Sequence, residues 1–168
     1  MTIFGKRPSE YVAFCWPFLV LIFVVAIVRL AMSLGGVSIS ITKFVSVSVV
    51  IWIGVIYHAI RVHTTGFGSY KQLLPICFLQ IVTLQIVIIP AIILSIYTGQ
   101  LNAFTAPEVN FNSDGRNWTH VLAHLFFAPT VGTLIGWLGG LLVMFITKKV
   151  SPRPIAQTEP RGSRIREK

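Results

Sequence analysis

Four apolar stretches, Tyr11 to Leu34, Ile41 to Ile60, Leu73 to Tyr97 and His120 to Ile146, fill most of this chain, and none of them contains a carboxylate. Each runs for about 20 residues or more, and at about 1.5 Å of rise per residue such a helix crosses a hydrocarbon core of about 30 Å. The expected fold is all-α: a polytopic membrane protein with four transmembrane helices in an antiparallel bundle. Only 11% of the residues are charged, against about a quarter in a soluble domain, which makes lipid the solvent. The 168 residues divide into a membrane domain, 1–147, and a tail, 148–168, with no room for a soluble catalytic domain.

The basic residues set the orientation. Lys6, Arg7, Arg61, Lys71, Lys148, Lys149 and the tail collect on one side of the four stretches, while Arg29, Lys43 and Arg116 fall on the other. By the positive-inside rule both termini are cytoplasmic. Two short links, Gly35 to Ser40 and Arg61 to Gln72, force neighbouring spans to run in opposite directions. Lys6 and Arg7 precede an apolar run longer than the 7–15 residues or so of a signal peptide, so the first span reads as a retained signal anchor. The localisation is multi-pass and integral, in a bacterial inner membrane by preference over an endomembrane.

The net charge of +9 sits at helix ends and in the tail, which points to anionic lipid headgroups as partner and not to nucleic acid. Lys148, Lys149 and Arg153 are the expected headgroup contacts. The tail, with three prolines and few large apolar residues, is expected to be disordered. The link Thr98 to Thr119 is the one sizeable segment expected outside, with a polar run through Asn110, Asn112 and Ser113. Asn117-Trp118-Thr119 matches a glycosylation sequon but abuts the membrane, and Trp118 reads as an interfacial anchor.

Within the spans, Ala128, Gly132, Gly136 and Gly140 recur every four residues and Gly139 joins them. Small residues let helix backbones approach closely, so this ridge is read as a packing face within the chain, with a dimer or partner interface as the alternative. Gln80, Thr83 and Gln85 are intramembrane polar residues; at 100° per residue Gln85 points away from the other two, and interhelical hydrogen bonds account for all three. Pro75 suits a first turn, while Pro17, Pro90 and Pro129 lie deeper and should bend their helices. Arg29 is the one charge well inside a span and is read as snorkelling to the headgroups; an outward anion site with Lys43 and Arg116 is the alternative. Cys15 and Cys77 form no metal or disulfide pattern and read as reduced, buried thiols.

Four histidines raise the question of haem or metal. His120 and His124 share a helix face at the outer end of the fourth span, whereas His58 and His63 lie at the inner end of the second, His58 with Tyr57 and Arg61 in an interfacial belt. No single site can use all four. A zinc-like ion on His120 and His124, under Glu108 or Asp114, remains as a small candidate metal site. No cofactor is otherwise expected. There is no phosphate-binding glycine loop, no His-Glu-x-x-His and no intramembrane acid of the kind a cation-coupled carrier uses.

The segment Thr65-Gly66-Phe67-Gly68-Ser69-Tyr70-Lys71-Gln72-Leu73 resembles the Gly-rich, Ser-aromatic-Lys-Gln link of Yip-family membrane proteins, in which a comparable cytoplasmic loop precedes an apolar helix. The resemblance implies a role in trafficking or membrane organisation. It covers under a tenth of the chain, and the family's fifth span and acidic motif have no counterpart here. The functional expectation is a non-enzymatic accessory, scaffold or membrane-organising subunit, working with other membrane subunits or as a homo-oligomer. A small oligomeric channel or carrier, and a metal- or haem-binding redox subunit, are the alternatives.

Overall fold

The computed structural model describes residues 1–110 and 113–151; Asn112, Arg153 and the remainder of the expected tail lie outside the described residues. Helix dominates and no strand occurs among them, apart from one isolated pairing of Ile3 with Lys6. Four helical stretches, Pro8–Leu34, Ile39–Thr64, Tyr70–Thr98 and Trp118–Val150, are long and apolar enough to cross a membrane. The chain is a multi-pass membrane protein, each stretch reaching a few residues beyond its apolar run.

The first stretch is a single helix, α1 (Pro8–Leu34), started by Pro8 with Glu10 accepting from the Arg7 N–H at 2.7 Å. The second divides into a short α2 (Ile39–Thr42) and α3 (Val47–Thr64), because Ser46 caps a new helix by accepting from Val49 N–H. The third is α4 (Tyr70–Thr98), which closes on Gly99 in the left-handed conformation, φ 70°. Pro75 and Pro90 both lie inside α4, so Pro75 is not the first-turn proline its position in the apolar run suggested. The fourth comprises α5 (Trp118–Leu122), a π-helical turn over Ala123–Phe127, and α6 (Ala128–Val150). Pro129 has no N–H to return to the preceding turn, and the wide turn before it absorbs that break.

α3 and α4 form a central pair; each packs against the other and against both α1 and α6. On α1 the buried residues Tyr11, Cys15, Leu19, Ile22 and Ala26 recur at steps of three and four, the period of one helix face. Gly136 and Gly140 of α6 are buried: a Cβ at Gly136 would meet Val55 at 3.6 Å and Cys77 at 3.7 Å, and one at Gly140 would meet Leu73 at 3.4 Å. Gly132 lies against Ile81, and Gly139 against the Trp52 ring. The remaining apolar surface, including Phe23, Val24, Ile53, Leu138 and Leu142, is exposed, as suits contact with acyl chains.

One end of the molecule gathers the N-terminus, the end of α6 and the Gly-rich link. Phe67 stacks on Phe14 and meets the edge of Tyr11, Gln72 donates to the Phe4 carbonyl, and His63 bonds the Ser151 carbonyl. Lys148 lies over the Tyr70 ring at 3.7 Å and Lys149 over Phe145 at 4.6 Å. In the link, Gln72 accepts from the Ser69 N–H at 2.7 Å, so its Ser-x-x-Gln pattern starts α4 as half of a capping box. The other end carries the long link and, beneath it, the candidate site.

Candidate functional site

The segment after α4 folds back onto the helices as a cap. Residues Asn102, Ala103, Phe104, Thr105 and Ala106 are all buried. Asn102 organises them: its side-chain amide donates to the Ala91 carbonyl at 2.7 Å, its side-chain oxygen accepts from Phe104 N–H, and its backbone N–H reaches Thr105. Ser95 shares a hydroxyl contact with Thr105 and donates to the Gln100 carbonyl. Asn110 closes the turn onto the carbonyls of Phe104 and Ala106, and Gly115 N–H bonds the Thr105 carbonyl. A side chain at Gly115 has no space, since its Cβ would lie 2.8 Å from Thr105 backbone.

A cavity of about 210 Å³ lies under this cap, lined by Arg29, Val47, Ser48, Leu84, Ile88, Ala103, Phe104, Val109, Asn110, His120 and His124. Arg29 belongs here, and this corrects the snorkelling reading. It follows Ile22 and Ala26 at the spacing of the buried face of α1, so the half-buried guanidinium is carried under the cap. One Nη donates to the Ala103 carbonyl at a long 3.4 Å, the group lies over the Phe104 ring at 5.5 Å, and its Nε is buried without a partner. Among the described residues no carboxylate pairs with it; the two ion pairs are Lys6–Glu10 and Arg116–Asp114. The alternative association with Lys43 and Arg116 does not form either. Lys43 lies over its neighbour Phe44, and Arg116 is held by Asp114 and by the Gly99 carbonyl.

The two histidines stand side by side, ring centroids 4.8 Å apart. His124, in the π turn, donates from Nδ1 to the Gln85 side-chain oxygen at 2.8 Å, and His120 donates from Nδ1 to the Gly115 carbonyl at 2.8 Å. Among the described residues neither ring's Nε2 has a protein partner. Neither expected carboxylate covers them: Glu108 is exposed, and Asp114 is bound to Arg116, whose side-chain and backbone hydrogen bonds hold the Asp114 carboxyl below its ordinary value. Among the described residues no group of three or more His, Cys, Asp or Glu side chains is placed to hold a metal ion.

The other polar residues are engaged separately. Gln80 is fully buried and meets His58 at 3.3 Å, its carboxamide pressed against Gly54. His58 is therefore a core residue, 1% exposed among Phe14, Phe18 and Tyr57, and not part of an interfacial belt. Thr83 bonds its own helix at the Leu79 carbonyl, so Gln80, Thr83 and Gln85 serve three different partners. Asn117 caps α5 by accepting from His120 N–H, which ties its side chain down. Sequence reading missed Asn102, Thr105 and Ser95; the apolar Ala103, Phe104 and Ala106 clustered within the link were the available signal.

No family model, curated protein or solved structure is similar to this chain, so the Yip-like link stands without support beyond its own residues.

Proposed function

We propose that the chain is a non-enzymatic accessory or membrane-organising protein that acts by binding a small anion, phosphate- or carboxylate-bearing, in the chamber beneath its cap. The proposed setting is an antiparallel four-helix bundle with both termini cytoplasmic and the cap on the outer side. Short links, the packing of α3 and α4 against each other and against both α1 and α6, and the distribution of lysine and arginine support it. One observation carries the functional reading: Arg29, a permanently charged group, faces a cavity that offers it one weak carbonyl contact and, among the described residues, no counter-ion.

An uncompensated charge inside a membrane protein is strongly unfavourable, and such residues ordinarily pair or mark a ligand path. An anion in the chamber would accept from Nε and Nη2 together in the forked geometry that suits guanidinium and oxyanion. His120 and His124 would supply Nε2 as donors when protonated, or as acceptors from a protonated ligand oxygen when neutral. Their Nδ1 bonds fix both rings toward those roles.

The test is calorimetric titration of the purified protein with inorganic phosphate. Saturable binding that Arg29→Gln abolishes and Arg29→Lys partly retains is the expected result. No binding to the wild type, or binding indifferent to Arg29→Gln, would reject the reading.

A further inference from the structure

The chamber is small for a complete ligand. Sites that enclose whole organic molecules usually run to about 300–1,000 Å³, whereas this one is about 210 Å³, enough for a head and little else. Ser48 and Leu84 line it and also line a second cavity of about 350 Å³ that descends between α3 and α6. That second cavity is bordered by Ile51, Trp52, Val55 and Ile81 and floored by Gly132 and Gly136, with Gln85 as its polar contribution near the junction. The two spaces adjoin at the pair of residues through which polar lining gives way to apolar lining.

The geometry points to a single occupant that bridges them: an anionic membrane lipid, its phosphate against Arg29, His120 and His124 and one acyl chain in the α3–α6 groove. This rests on the reading of the chamber as an anion site and names the class of molecule that reaches it. Three features converge on a lipid in preference to a free anion. The positive group has no counter-ion among the described residues, the groove shares Ser48 and Leu84 with the chamber, and the groove lies between helices whose outward faces are apolar and exposed. At the groove floor Gly132 and Gly136 let α6 lie close to its neighbours; a Cβ at Gly132 would already approach Ile81 at 3.3 Å. The cap then serves to close over the headgroup, with Asn110 at its rim.

The experiment is native mass spectrometry of full-length protein released from nanodiscs of equal phosphatidylglycerol and phosphatidylcholine, beside calorimetry with inorganic phosphate and glycerol phosphate. Wild type should retain one phosphatidylglycerol, and Arg29→Gln should lower the preference for it over phosphatidylcholine by about tenfold or more, the worth of a hydrogen bond to a charged group. Val131→Phe, which fills the groove from α6, should lose the lipid while still binding inorganic phosphate. Should that variant not fold, phosphatidic acids of increasing chain length on the wild type read the same property, and affinity should climb steeply with length. If glycerol phosphate binds as tightly as the chain-bearing lipids, the lipid inference is overturned and the anion site stands. If neither phosphate nor anionic lipid depends on Arg29, both are overturned.

Discussion

At the scale of the residue, the proposed anion site turns on Arg29. Burying a charge without its partner is destabilising, so removing it should help the empty protein. Arg29→Met should raise the stability of ligand-free protein by about 1 kcal/mol or more, read as an upward shift in thermal denaturation. Saturating phosphate should reverse the order, because wild type alone gains the binding energy. The steps of four and three from Ile22 through Ala26 to Arg29 set the arginine on the buried face of α1, and that much is legible in the sequence. What the sequence leaves hidden is that residues 103 and 104, remote in the chain, form the roof over it. A second effect belongs to Asp114. Its carboxyl is held below the ordinary value by Arg116, so the pair's contribution is complete above about pH 4 and is lost as pH falls through the lowered value. Proteolysis within the cap should therefore quicken in acid, and Asp114→Asn should show the faster rate already at neutral pH.

At the scale of the element, close packing and caps carry the fold. At Gly136 the α6 ridge tolerates a methyl group but little more: Gly136→Ala introduces a Cβ at ordinary contact distance from Val55 and Cys77, whereas Gly136→Ile overfills the same space. The first should leave stability nearly unchanged and the second should lower it by about 1–3 kcal/mol in a detergent unfolding titration. The ridge and the apolar stretches were legible because both are periodic, and α-helical period translates directly into a face. The π turn at Ala123–Phe127 was not, since Pro129 announces a disturbance without specifying its form. The cap was hidden for a different reason: its hydrogen bonds join Asn102, Thr105 and Asn110 to backbone groups, and such pairings leave no periodic trace. Gly115→Ala should open it, because the new Cβ meets Thr105 backbone, which cannot turn aside as a side chain would.

At the scale of the whole molecule, the proposed topology puts the cap and the termini on opposite sides of the membrane. Cys15 and Cys77 are buried free thiols, so a cysteine introduced at the exposed Ser113 or Thr64 reports alone. A membrane-impermeant maleimide applied to intact cells should label Ser113→Cys and spare Thr64→Cys; the opposite pattern would invert the topology. The central claim is narrower, that Arg29 awaits an anion inside the protein. It is tested most directly by nuclear magnetic resonance of protein carrying 15N-arginine, following the Nε–H signal that Arg29→Gln removes. The account predicts a signal that shifts and becomes protected from solvent exchange as phosphate is added. A signal that exchanges freely and ignores phosphate would place the guanidinium among the headgroups and contradict it.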